Sequence, residues 1–248
     1  FGSASPIRID SVDSCSSTCI SSDRLILATA SRNGVIVVYS CTNTKIDSNS
    51  NRLPLQTVNR LICPSYNIKT MAVTTQHAML CAVSHKHIFL FDYTTGFLIK
   101  KLVIGSNFNN NKSSINEEEE DTGESFESQY ENIISVIFDD ISNFIVTISP
   151  SNITLYGLDL RLILRSEHNV DSGIPPFTCI SISDFPFWSK MQLYVTGHKD
   201  GSVYAWMADV IEGGIFPLQI IDSKITNHFS ITAVSLFMYD RCVLAIDE

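Results

Sequence analysis

The chain has 248 residues, 44% hydrophobic and 17% charged, enough to bury the core of one large all-β domain or of two ordinary domains. Its net charge of −9 argues against a binder of phosphate backbones, which needs clustered lysine and arginine. No run nears the roughly 20 apolar residues of a membrane-crossing helix, and seven scattered cysteines suit a reducing compartment better than a disulfide framework.

Helical periodicity is almost absent, and short runs rich in Val, Ile, Thr, Phe and Tyr recur between turn residues. PIRIDSV, near the N-terminus, reads as the outer strand of a preceding unit. A first unit, 13–58, offers TCIS, LILATAS, NGVIVVYS and the more polar LPLQTV. A second, 66–104, offers IKTMAVTT, MLCAVS, KHIFLFDY and LIKKLV. Residues 105–129 then hold seven acids against Lys112 and almost nothing apolar, so a disordered acidic insert is expected there. A third unit, 131–166, offers ISVIFDD, FIVTIS, SNITLYGL and RLILRS. A fourth, 177–222, offers TCISISD, QLYVTG, DGSVYAWM and FPLQII. A partial fifth, 230–248, holds SITAVSLF and RCVLAID.

An aromatic closes the third strand of each full unit: Tyr39, Phe91, Tyr156 and Trp206. Each follows by five residues a turn position held by Gly34, Lys86, Ser151 or Gly201. Between turn and aromatic the apolar residues alternate with period two, as in a half-buried strand. Four strands per unit, the last outer and polar, predict an all-β fold of β-propeller blades in an incomplete ring. The aromatics lie 52, 65 and 50 residues apart, wider than the roughly 40–45 of a regular blade, and the longest interval contains the acidic insert. The turns of the second and third units must use Lys86 and Ser151 where glycine would be easier. Neither end reads as a natural terminus, so a longer parent chain is expected.

GHKDGSVYAW resembles the signature of WD-repeat proteins. The resemblance implies WD40-like blades, and a hydrogen-bonded tetrad of Thr196 on the second strand, Asp200 in the turn beside Gly201, Trp206 on the third strand, and His228 leading into the next unit. In the first unit Asn33, Gly34 and Tyr39 take the corresponding places; His85 and Pro150 replace the turn Asp in the second and third. Residues 177–206 are more narrowly similar to the C-terminal WD repeats of BEACH-domain proteins of the neurobeachin and lysosomal-trafficking-regulator type. That likeness implies a non-catalytic scaffold in the cytoplasm, peripheral to endosomal or lysosomal membranes, acting in vesicle trafficking or autophagy. Its partners would be other proteins, including a BEACH domain upstream in the same chain.

Arg32, Lys86, His198 and Lys199 come from equivalent turns between second and third strands, so they are expected to share a partner-facing surface, to which an acidic peptide would be suited. Phe187 and Trp188, in DFPFWSK, either anchor a partner or pack on a blade edge. His198 beside Asp200 reads as a turn residue rather than a catalytic one, because no nucleophile and orienting acid accompany it. His85-x-His87 could hold zinc only with a third ligand, and none is evident; no cofactor or metal is expected. Two other functions stand beside the trafficking scaffold: a WD-repeat subunit of a coat or other assembly lacking a BEACH domain, and a propeller hydrolase, for which carboxylate pairs are wanting.

Overall fold

The computed structural model describes residues 14–41, 55–104, 132–166, 173–182, 192–221, 229–237 and 242–247. PIRIDSV, the acidic insert, Phe187, Trp188 and His228 lie outside the described residues. Every regular element among those described is a strand, and none is a helix long and apolar enough to cross a membrane.

The strands form four blade-like antiparallel sheets and a fifth pair. Sheet I joins β1 (Cys15–Ile20), β2 (Ile26–Ser31), β3 (Val35–Ser40) and β4 (Gln56–Ile62) in that order. Sheet II joins β5 (Thr70–Thr74), β6 (Met79–Val83), β7 (His87–Asp92) and β8 (Leu98–Val103). Sheet III joins β9 (Ser135–Asp139), β10 (Phe144–Ile148), β11 (Ile153–Gly157) and β12 (Leu162–Arg165). Sheet IV joins β13 (Phe177–Ile182), β14 (Gln192–His198), β15 (Val203–Asp209) and β16 (Gly214–Ile221), and sheet V pairs β17 (Ile231–Phe237) with β18 (Cys242–Asp247). The strand order is the chain order throughout, so each sheet is a meander of hairpins. β4 runs past the expected unit boundary at 58, because Val35 pairs with Ile62 and Leu61 is needed inside.

First strands stand side by side: β1 beside β5, β5 beside β9, β9 beside β13 and β13 beside β17. They line a cavity of about 410 Å³ to which all five contribute, among them Ile20, Val73, Val136, Ile180 and Ser235. The described residues do not close this row into a ring. Apolar clusters fill the spaces between successive sheets. Ile36, Val38 and Leu61 meet Leu80, Phe89 and Phe91 between I and II. Leu90 and Ile88 meet Phe138, Ile145 and Tyr156 between II and III. Val146 and Leu155 meet Tyr194 and Trp206 between III and IV. Between IV and V the buried set among the described residues is Val195, Val203 and Ile231.

The four aromatics occupy one position. In every full sheet the register between third and fourth strands shifts immediately before it: at Val38/Tyr39, Leu90/Phe91, Leu155/Tyr156 and Ala205/Trp206. Such a bulge sharpens the local twist and re-aims the side chain. Phe91, Tyr156 and Trp206 each pack against the preceding sheet. Tyr39, on the first described sheet, is half-buried.

Candidate functional site

Trp206 is the start of a buried hydrogen-bond relay. Tyr194, Thr196 and His198 share one face of β14, because alternate residues of a strand point the same way. Trp206 lies opposite Tyr194 and Tyr204 opposite Thr196. The Trp206 indole N–H donates to Thr196 Oγ1 at 2.7 Å. An indole nitrogen only donates, so the Thr196 oxygen accepts and its own proton turns to His198 Nε2, 2.9 Å away. That makes Nε2 the accepting nitrogen and leaves Nδ1–H to donate to the Pro175 carbonyl at 2.8 Å. Thr196, His198 and Trp206 are fully buried. Phe177 and Tyr204 enclose the histidine, with ring centroids 4.9 and 4.5 Å from it.

This arrangement revises two expectations. Thr196 and Trp206 meet as the WD resemblance implies, but Asp200 does not join them. Its carboxylate accepts from the Ser202 N–H and hydroxyl, at 3.0 and 2.6 Å, and so holds the turn at Gly201, where φ is +86°. His198 takes the place beside Thr196. Because β14 continues through His198, which pairs with Phe177, its ring points inward and offers no surface to a partner. His198 therefore leaves the partner-facing set. Sheets I, II and III have Ser31, Ser84 and Ser149 at the same register. Ser31 and Ser149 accept from Val35 N–H and Asn152 N–H, and Ser84 Oγ donates to the His87 carbonyl. The sequence carried this signal: ATAS, CAVS and VTIS end in serine, VTGH in histidine.

Among the described residues the hairpin ends differ in which side chains hold their turns. At one end, turns after the first and third strands are held by aspartates. Asp92 accepts from Thr94 and Thr95 N–H, Asp139 from Ile141 and Ser142, Asp159 from Arg161, Asp209 from Ile211 and Glu212. Hydrogen bonds from Thr94 and Thr95 hold the partly buried Asp92 carboxyl at about 2. Neighbouring turns are tied there too: Thr75 donates to Asp23, and Thr74 and Ser22 donate to Asp140. Asp139 also accepts from the buried Tyr194 hydroxyl at 2.9 Å, joining sheet III to sheet IV.

The opposite end carries the turns between second and third strands together with the lead-ins to first strands. Arg32, Lys86 and Lys199 are exposed at its turn tips, as is Asn33. Backbone bonds stitch this end as well: Asn67 N–H donates to Arg32 O, Phe177 N–H to Pro150 O, and Ile104 N–H to Lys86 O. Lys69 bridges sheets II and III, its ammonium 2.6 Å from Asn132 Oδ1 and 3.1 Å from His85 Nδ1. His87 Nδ1 is buried and finds no hydrogen-bond partner among the described residues. Desolvation, then the charges of Lys101 and Lys86, hold that imidazole below its ordinary range. His85 and His87 thus point to different neighbours, and no group of three or more metal-ligating side chains occurs among the described residues.

Compared with protein-family models and with curated proteins, the chain matches none.

Proposed function

We propose that this chain is a WD40-like propeller region that works as a non-catalytic protein-interaction scaffold in a BEACH-type protein of vesicle or lysosomal trafficking. The observation that carries the reading is the repeated register. Four sheets present an aromatic at one bulged position, and three of those aromatics pack on the preceding sheet, around first strands that share a cavity. Rigid hairpin ends then display turn side chains without large motion, which suits a binding platform. The trafficking part rests on the likeness of residues 177–206 to BEACH-protein repeats, and places the protein in the cytoplasm at endosomal or lysosomal membranes. Arg32, Lys86 and Lys199 supply the partner-facing surface.

The full-length open reading frame tests this directly. A BEACH domain encoded upstream of Phe1 is the expected result. A frame without one transfers the chain to a WD-type subunit of another assembly. Blades of a closed ring seen by electron microscopy of the whole protein would support the propeller; a flat or helical neighbour packed on Tyr39 would overturn it.

A further inference from the structure

Each contact between successive sheets sets an aromatic face on an aliphatic one. In sheet II, Val73, Leu80 and Phe91 stand opposite one another across three strands and pack on sheet I. The same line ends at Tyr156 in sheet III and at Trp206 in sheet IV, and packs there on the sheet before it. The other face carries smaller residues in line, Ala28 with Val38 in sheet I and Cys81 with Leu90 in sheet II, buried against the sheet that follows. One face of each kind is left over, at the two ends of the row. Sheet I holds Ile20, Leu27 and Tyr39 in line, with Val35 and Val37 beside Tyr39 on the same face. None of the five belongs to an apolar cluster of the described residues, and Ile20 is 55% exposed. Sheet V turns Val243 and Ala245 towards sheet IV, so Leu244 and Ile246 face the other way, 52% and 53% exposed. Ser235 stands opposite Leu244 as Ser181 stands opposite the buried Val195 of sheet IV, which puts Leu244 on the aliphatic line.

We propose that these two faces are the halves of one interface, and that a second copy of this chain docks head to tail, its sheet V seated on the Tyr39 face of sheet I. This goes beyond the scaffold reading. The contacts inside the chain are the template: Leu244 and Ile246 take the part that Ala28 and Val38 play against Leu80 and Phe91. Two unlike faces make a heterologous contact, so each copy can engage a neighbour at both ends. Ser22 of sheet I donates to Asp140 of sheet III across the end of sheet II, so the sheets fan about their first strands and successive copies continue one curve. Sheet V has two strands where a full sheet has four. The contact therefore covers the part of sheet I nearest its first strand and leaves the exposed Arg60, opposite Val37 on β4, at the rim. An apolar contact below the roughly 1,200 Å² of a standard interface binds weakly, with a dissociation constant on the order of micromolar.

Sedimentation equilibrium of the 248-residue chain is the measurement. The average mass is expected to climb from the 27.6 kDa monomer to the dimer and beyond as concentration rises from about 1 to 100 μM. Tyr39→Glu should weaken association roughly tenfold or more, because it places a charge without a partner inside the contact, and Leu244→Glu/Ile246→Glu should do the same. Each of these variants keeps one sound face, so an equimolar mixture of the two should recover a dimer that grows no further. Ile20→Glu, at a half-exposed position of the same face, serves if Tyr39→Glu unfolds. Ile211→Glu, at an exposed turn of sheet IV, should change nothing. A strictly monomeric wild type would overturn the proposal, whether a segment of the same chain or a different protein then covers the Tyr39 face. So would self-association that survives either substitution, the result expected of two like faces meeting, or a mixture of the two variants that stays monomeric.

Discussion

At the scale of the residue, the Trp206–Thr196–His198 relay sets a direction for every proton. Each member has one role that the others require, and all are out of reach of water. Trp206→Phe removes the donor and leaves a void, and is expected to destabilise by about 2–4 kcal/mol in urea unfolding. Thr196→Val keeps the volume but strands both Trp206 N–H and His198 Nε2, with a similar loss. Because either change breaks the same relay, the double variant should fall short of the sum by about 1 kcal/mol or more; strict additivity would show the relay to be independent contacts. Asp139 yields a pH prediction. Burial holds its carboxyl above the ordinary range, while hydrogen bonds from Ser142, Tyr194 and Ile141 pull it back. A raised folded value favours the protonated form on folding, so this contribution is full below the ordinary aspartate pKa and is lost as pH rises through the folded one. Tyr194→Phe deletes one of the groups that pull it back. The stability gap between wild type and this variant should therefore widen from about pH 4 to pH 7, and a constant gap would separate the tyrosine from the titration.

At the scale of the element, the turns between second and third strands show what the sequence made legible and what it hid. The strands themselves were readable, because period-two alternation between a turn and an aromatic is a local signal. LIKKLV is β8 residue for residue, whereas LPLQTV begins before β4, which takes its register from β3 rather than from its own composition. The relay was harder to read, for His198 is bonded to a carbonyl 23 positions earlier. Turn length was hidden as well. In sheets I and IV five residues separate the last paired positions, Ala30↔Ile36 and Gly197↔Val203, and a glycine sits at positive φ. In sheets II and III the last pairs are Val83↔Ile88 and Ile148↔Ile153, and the shorter turns contain no positive φ. Glycine is thus not needed at Lys86 and Ser151, and Pro150 suits the second place of a type I turn. Opposite substitutions at the two kinds of turn are therefore both unfavourable. Gly34→Ala puts a methyl 2.6 Å from Ser65 O at φ +80°, and should destabilise by roughly 1–3 kcal/mol. Ser151→Gly should also destabilise, by about 0.5–1 kcal/mol, through added freedom in the unfolded chain. A stabilising Ser151→Gly would mean that the turn is strained after all.

At the scale of the whole molecule, each sheet touches its neighbours in a row, so stability is distributed over the interfaces between them, as in repeat proteins. Those interfaces differ in what they bury, and cysteines report on them. Cys81 is fully buried in the space between sheets II and III, where burial raises its thiol well above the ordinary range. Cys19 is pushed up to about 12 for the same reason, and Cys179, half-buried at the IV–V space, is raised as well. Thiolate is the reacting form, so all three should resist alkylation in the folded protein while the exposed Cys15 reacts. Among the described residues the IV–V space buries Val195, Val203 and Ile231, with Val234, Val243 and Ala245 partly buried against them, and Gly197 leaves room there for Ile231 and Cys179 to approach β14. Pulse labelling with iodoacetamide across a urea series should therefore modify Cys179 at lower denaturant than Cys81. Gly197→Ala, whose added methyl would meet Cys179 Sγ at 2.7 Å, should shift the Cys179 transition further down and leave that of Cys81 nearly unmoved, because the strain lies at one end of the row. Simultaneous labelling of both cysteines in wild type and variant would show instead that the sheets unfold as one unit.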